Sequence, residues 1–159
     1  MKESAPGSQD IGTVVAVDSL GAAGILVSLF DYFTIQKRPL LGLDPIGVAI
    51  FLMGVAVELS AVRALGRQYS LRVKTTEEQK LIQAGPYRYI RHPVYLGLIL
   101  VFFSAPIAWV SLYGALIALP TIPLLLKRIR VEERAMAFRF GDEYTAYVQR
   151  TKRLIPLVY

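Results

Sequence analysis

Between Val94 and Leu126 the chain runs for thirty-three residues without one charged side chain. As a single α-helix this stretch would measure roughly 50 Å at about 1.5 Å per residue, against a bilayer hydrocarbon core of about 30 Å. It is too long to cross once and too apolar to lie in water, so it must fold back as a helical hairpin. Pro106 is the expected hinge, because proline removes a helix hydrogen bond and clashes with the preceding turn. That division gives helices of about 13 and 19 residues, the first short enough to reach only part-way across, with Pro120 and Pro123 kinking the returning one.

Two more apolar runs precede it. The first, Ile11 to Ile35, is interrupted by Asp18 and Asp31 and carries a small-residue face at Gly21, Ala22, Ala23 and Gly24, suited to close helix packing. Charges at mid-bilayer are rare, so Asp18 is expected near the membrane surface or against a polar interior. A short loop at Gln36 to Leu43 leads to the second run, Asp44 to Leu65, which opens on Asp-Pro, a helix cap followed by proline at the first helical position. The start, residues 1–10, is polar and lacks the basic region of a cleaved signal, so the first run reads as a retained transmembrane helix. After Leu126 the tail, Lys127 to Tyr159, is charged, with Val131, Ala135, Phe138, Tyr144, Tyr147 and Val148 at near-helical spacing. That pattern predicts an amphipathic helix at the interface or capping the bundle, broken at Gly141 and ended by Pro156. The expected architecture is an all-α integral membrane bundle in one domain: a polar tail (1–10), two transmembrane helices (11–65), a polar connector (66–93), the hairpin (94–126) and the charged tail (127–159). Four transmembrane segments and a C-terminal amphipathic helix result.

Charge placement limits the partners. The chain is 54% hydrophobic with a net charge of +6, but its basic residues flank the apolar runs instead of forming a solvated face, which points to anionic lipid headgroups and away from nucleic acid. Seven of the 18 lysines and arginines lie in Arg63 to Arg91 and eight in Lys127 to Arg153. The positive-inside rule therefore places the connector and tail together on the cytoplasmic side of a cell (inner) membrane, with Arg150, Lys152 and Arg153 as headgroup contacts. The absence of cysteine excludes disulfides, thiolate catalysis and cysteine zinc sites, and a single histidine excludes a multi-histidine metal site.

Just ahead of the hairpin, residues 85–97 read Gly-Pro-Tyr-Arg-Tyr-Ile-Arg-His-Pro-Val-Tyr-Leu-Gly. A basic turn with an aromatic interface belt has a similar composition, and Tyr87 and Tyr89 suit either reading. The hairpin, however, returns its far end to this same membrane face. Arg88, Arg91, His92 and Tyr95 thereby become neighbours of Arg128, Arg130, Glu132, Glu133, Tyr144 and Tyr147. Pro93 is placed as the first residue of a helix, leaving the N–H groups of Val94 and Tyr95 outward beside Arg91 and His92, the geometry of an anion site. Gly97 leaves room for a flat ligand group, Glu132 and Glu133 can accept hydroxyl or ammonium donors, and tyrosines favour a cation. A ligand combining carboxylate, ribose, aromatic base and cationic centre matches these features, and S-adenosylmethionine is one.

The Gly85-Pro86-Tyr87, Arg91-His92-Pro93, Tyr95 and Gly97 pattern resembles the signature of the isoprenylcysteine carboxyl methyltransferase family and its phospholipid methyltransferase relatives. Arg63, Leu65-Gly66 and Tyr69-Ser70 resemble the end of the preceding helix in bacterial members, and Arg128, Glu132-Glu133, Phe140-Gly141-Asp142-Glu143-Tyr144, Tyr147 and the Arg153 to Pro156 stretch resemble the C-terminal half of those enzymes, so the likeness covers about Ala61 to Pro156. One departure is Lys80, where the pattern has a histidine ahead of Gly-Pro-Tyr.

The resemblance implies an S-adenosylmethionine-dependent methyltransferase acting on a membrane-embedded, isoprenylcysteine-like acceptor. The cofactor would be lined by Tyr87, Arg91, His92, Pro93, Tyr95, Gly97, Glu132, Glu133 and Tyr144. Methyl transfer is an in-line displacement that needs no protein nucleophile. A carboxylate acceptor is already ionised and asks only for an arginine, Arg128 or Arg130, whereas an amine must lose a proton, for which Glu133 is the candidate base. A phospholipid or other small-lipid methyltransferase, a non-catalytic lipid-binding protein and a nicotinamide-dependent reductase are the competing readings.

Overall fold

A computed structural model describes residues 11–36, 44–66 and 80–155. The expectations for the polar start, for the loop after Gln36, for most of the connector and for Pro156 lie outside the described residues. Helix α1 (Ile11–Phe30) widens into a π-type turn over Asp31–Ile35, and α2 covers Pro45–Leu65. A short 3-10 turn at Gly85–Arg88 precedes α3 (Pro93–Ala108), α4 (Leu112–Ala118) and α5 (Thr121–Arg150). Among the described residues the one piece of β-type pairing is a single parallel bridge between Ile90 and Lys152.

Among the described residues, three spans are long and apolar enough to cross a membrane: Gly12–Ile35, Pro45–Leu65 and the apolar part of Leu112–Arg150. Pro93–Ala108 is apolar but shorter, about 24 Å at 1.5 Å per residue. The chain is therefore an integral membrane helical bundle.

Lipid tails are as apolar as leucine, so membrane helices associate through close packing, and small residues carry it here. A Cβ added at Gly47 would sit 2.2 Å from the Ala108 nitrogen, and one at Gly54 would sit 2.9 Å from Leu100 Cβ, which brings α2 and α3 backbone to backbone. On the other side of α3, the expected small-residue face of α1 is used: Gly21 lies against the Phe102 ring and Gly24 against Gly114 and Ala118 of α4. Val17, Phe102 and Leu125, from α1, α3 and α5, meet in the core. The exposed apolar residues of α2, such as Phe51, Leu52 and Met53, face outward where lipid would lie.

The reversal within the long run is not at Pro106. That proline lies inside the last turn of α3, and the chain turns back three residues later, through Trp109, Val110 and Ser111. The Trp109 N–H still reaches the Ala105 carbonyl at 3.0 Å, so the helix survives the missing proline donor for one more turn. Ser111 then starts α4, its hydroxyl accepting from the Gly114 N–H at 3.1 Å. Pro120 does separate α4 from α5, but Pro123 sits in the first turn of α5, where a missing N–H costs nothing. The tail is helical and breaks at Gly141, as expected, but its first part is not separate from the hairpin. It continues the returning membrane helix without a break as far as Gly141, whose φ of 49° and ψ of −120° kink it.

Both acids of the first run are placed. Asp18 is exposed on α1, whereas Asp31 is buried at the other end of the bundle and accepts a 3.1 Å hydrogen bond from Gln36. Gln36 also donates to the Trp109 carbonyl at 3.2 Å, and the Asp44 N–H to the Ala108 carbonyl at 2.8 Å. These bonds fix the hairpin turn at the end opposite the start of α3. The polar half of α5 is thereby left beside residues 85–97.

Candidate functional site

The site is assembled where α3 begins. Leu126 is the last residue of the apolar run, and two turns further along α5 the carboxylates of Glu132 and Glu133 meet the Arg-His-Pro segment. Pro93 is fully buried as the first residue of α3, which fixes the approach of His92 to the helix. The His92 ring stacks on Tyr95 with centroids 5.7 Å apart and planes within 15°.

Two connected groups surround that ring. On one side, the Tyr95 hydroxyl donates to Glu132 Oε1 and accepts from Arg128 Nε at 2.6 Å, and the same guanidine nitrogen lies 3.2 Å from Glu132. Arg128 is buried here, one turn before Glu132. On the other side, Glu133 Oε1 accepts from Arg91 Nε at 2.9 Å and from Arg153 Nε at 3.1 Å, with Arg153 Nη2 on Oε2 at 2.8 Å. The histidine lies between the two carboxylates: Nδ1 is 3.7 Å from Glu132 and Nε2 is 3.6 Å from Glu133, both too long for hydrogen bonds. Nε2 is consequently a buried polar atom without a hydrogen-bond partner among the described residues.

Residues 151–155 act as a strap over this cluster. The Lys152 N–H donates to the Tyr89 carbonyl at 3.0 Å, and the N–H groups of Arg91 and His92 donate back to the carbonyls of Lys152 and Arg153 at 2.8 and 3.1 Å. Arg91 also reaches the Thr151 carbonyl at 2.7 Å, while Thr151 and Leu154 are buried beneath. Below the strap, Tyr147 donates to the Tyr87 carbonyl at 2.8 Å, and its ring lies 6.1 Å from that of Tyr144.

The electrostatics follow. Burial by itself would raise the Glu133 carboxyl, but His92, Arg153 and Arg91 outweigh it and hold it at about 2. A carboxylate so held, with two guanidinium groups on it, is a poor proton acceptor, which counts against the general-base role expected of Glu133. Burial pushes the Tyr147 hydroxyl up to about 12 despite Arg91 and Arg150, and burial followed by the charge of Glu133 raises Tyr144 as well.

The fold brings Tyr87, Arg91, His92, Pro93, Tyr95, Arg128, Glu132, Glu133 and Tyr144 to one end of the bundle. It treats Gly97 differently. A Cβ there would lie 2.8 Å from Glu58 Cβ and 3.0 Å from the Gly54 carbonyl, so Gly97 serves the close contact with α2. Arg130, the alternative anchor, is exposed, two residues round the helix from Arg128. Arg153 and Thr151 were missed. Arg153, expected among lipid headgroups, is turned inward onto Glu133, and Arg150 pairs with Gln83. Arg153 heads the stretch of tail that resembles the family pattern, the only sign of it in the sequence.

The profile of the isoprenylcysteine carboxyl methyltransferase (ICMT) family matches residues 47–138, more than half of the chain. The chain belongs to that family. The matched region of this family member contains most of α2, all of α3 and α4 and the first part of α5, and so His92, Tyr95, Arg128, Glu132 and Glu133, while the strap lies beyond it.

Among its relatives, methanethiol S-methyltransferase 1 of Bradyrhizobium diazoefficiens is 41% identical over 70 residues, 44% of this chain and 24% of that protein. Protein-S-isoprenylcysteine O-methyltransferase B of Arabidopsis thaliana is 25% identical over 115 residues, 70% of this chain and 58% of that one. The solved structure of the eukaryotic intramembrane Ras methyltransferase ICMT shares the fold with a TM-score of 0.70 at 22% identity, over 91% of this chain and 52% of that chain. This family member thus spans between 24% and 58% of the length of these relatives.

Proposed function

We propose that the chain is an S-adenosylmethionine-dependent methyltransferase whose acceptor is a lipophilic, isoprenylcysteine-like carboxylate. The acceptor reaches the site from the bilayer, and the cofactor from the aqueous side. The observation that carries this reading is a buried cluster of paired charges, with one unpartnered imidazole nitrogen, at the edge of an apolar membrane bundle. Unpaired buried polar atoms are uncommon because they weaken a fold, and they persist where a ligand completes them.

The residues suit the cofactor. His92 Nε2 can meet a polar group of it, and Glu132 offers negative charge toward a cation while the start of α3 offers backbone N–H groups toward an anion. When bound, S-adenosylmethionine supplies an activated methyl group on a sulfonium. The protein's work is then to position and to exclude water, and buried Arg128 contributes by fixing Tyr95 and Glu132 together. An ionised carboxylate needs no base.

A second reading has specific support in the 41% identity to a protein named for methanethiol S-methylation. A thiol acceptor must lose a proton, and Glu132, without the double guanidinium clamp of Glu133, is the carboxylate suited to take it.

In this reading the connector and tail face the cytoplasm at the cell membrane. Lys127, Arg130 and Arg134, all exposed just past the apolar run, are the contacts for anionic headgroups.

The test is calorimetric titration of detergent-purified protein with S-adenosylmethionine and, separately, a reduced nicotinamide. Transfer of radiolabelled methyl to a prenylcysteine analogue, an alkyl thiol and phosphatidylethanolamine is measured alongside. Binding of S-adenosylmethionine with label in the prenylcysteine analogue is expected. Folded protein that binds none overturns the proposal, and label in the thiol alone selects the second reading.

A further inference from the structure

We infer that Arg153, delivered by the C-terminal strap, is a positioning residue that keeps His92 Nε2 available to the ligand. The inference rests on the methyltransferase reading of the same site.

Glu133 Oε1 lies 3.6 Å from His92 Nε2, a few tenths of an ångström beyond hydrogen-bond reach. A carboxylate so close to a buried, unpartnered ring nitrogen would ordinarily close the gap. It does not, because Arg91 Nε at 2.9 Å and Arg153 Nε at 3.1 Å occupy the same oxygen, and Arg153 Nη2 holds the other at 2.8 Å. The two guanidinium groups differ in what anchors them. Arg91 belongs to the Arg-His-Pro segment itself and is tied to the Thr151 carbonyl. Arg153 comes from beyond the end of α5 and, among the described residues, is the one that grips both Glu133 oxygens, the bidentate geometry at which arginine excels.

The strap gives Arg153 its place. Its backbone is bound to residues 89–92 through three hydrogen bonds, one of which runs from the His92 N–H to the Arg153 carbonyl at 3.1 Å. The backbone of Arg153 therefore fixes the backbone of His92, while its side chain fixes the carboxylate facing the ring of His92. Without the guanidinium, Glu133 can swing onto Nε2 and use up the atom that the ligand needs.

Affinity for S-adenosylmethionine, measured by calorimetry on the full chain in detergent, tests this. Arg153→Ala is expected to weaken binding about tenfold or more, since hydrogen bonds to charged groups are worth at least one decade of affinity. Arg153→Lys should recover part of the loss. In a Glu133→Gln background, Arg153→Ala should add little, because the carboxylate through which it acts is gone. If Arg153→Ala lowers the melting temperature of the ligand-free protein, Arg153→Lys and its Glu133→Gln double variant carry the comparison. Affinity within twofold of the wild type for the Arg153 variants, or penalties that simply add to that of Glu133→Gln, overturns the inference. Wild-type protein that fails to bind S-adenosylmethionine defeats the methyltransferase reading itself, a result separable from either.

Discussion

Tyr147 of α5 donates a 2.8 Å hydrogen bond to the backbone carbonyl of Tyr87, sixty residues earlier in the chain. Both residues are buried, and the bond joins the two motif-bearing segments beneath the strap. With its hydroxyl pushed up to about 12, Tyr147 stays a donor across the working pH range. Tyr147→Phe keeps the ring and deletes only this bond, so a loss of about 1 kcal/mol is expected. Denaturant unfolding in detergent measures it, and an unchanged midpoint would show that the bond does not hold the segments together.

His92 presents a different case, since its ring helps to hold Glu133 ionised while its buried Nε2 makes no hydrogen bond among the described residues. Replacing a group whose nitrogen lacks a partner removes a desolvation penalty. His92→Phe retains the stack on Tyr95 and should melt within a few degrees of the wild type, or above it. The thermal shift produced by S-adenosylmethionine should disappear in the same variant. A normal shift would mean that the imidazole nitrogen has no part in binding.

Gly97→Ala separates packing from ligand contact. The added methyl would lie 2.8 Å from Glu58 Cβ and 3.0 Å from the Glu58 nitrogen and the Gly54 carbonyl, and backbone atoms yield poorly. Overpacking of this kind costs about 1–3 kcal/mol. The expected outcome is a lower melting temperature without ligand, with affinity falling only as far as α3 is displaced. Unchanged stability with lost affinity would return Gly97 to the ligand site.

What was legible in the sequence was whatever depends on apolar run length and on small residues. Thirty-three uncharged residues had to form a hairpin, and Gly21 and Gly24 had to face a close neighbour, because hydrocarbon permits few other solutions. The position of the turn was not legible. Proline disfavours a helix but does not end one at once, and the turn came where Ser111, five residues on, could cap the next helix.

The site divided in the same way. Arg91, His92, Tyr95, Arg128, Glu132 and Glu133 could be brought together once the hairpin was known. The inward turn of Arg153 could not, because it depends on Thr151 leaving the helix in an extended conformation (φ −124°, ψ 153°) so that the strap can pair with residues 89–92. That pairing is tertiary, and a basic residue near a membrane carries no mark of which way it faces.

The Glu133 clamp also sets a dependence on pH. Its carboxyl is held at about 2 in the folded protein, against an ordinary glutamate value of 4.5, so the unfolded chain takes up a proton first as acid is added. The stability contributed by Glu133 is therefore complete above about pH 4.5 and is lost as the pH falls through about 2. Other carboxylates titrate in this window too, which makes the difference between wild type and Glu133→Gln the informative quantity. That variant keeps the side-chain shape and one acceptor oxygen but loses the charge shared by Arg91 and Arg153. The stability gap between the two proteins should be widest above pH 5 and should close toward pH 2, as read by denaturant unfolding in an acid-tolerant detergent. A gap constant across that range would mean that Glu133 is not held as an ion by the two arginines, and the clamp would lose its electrostatic basis.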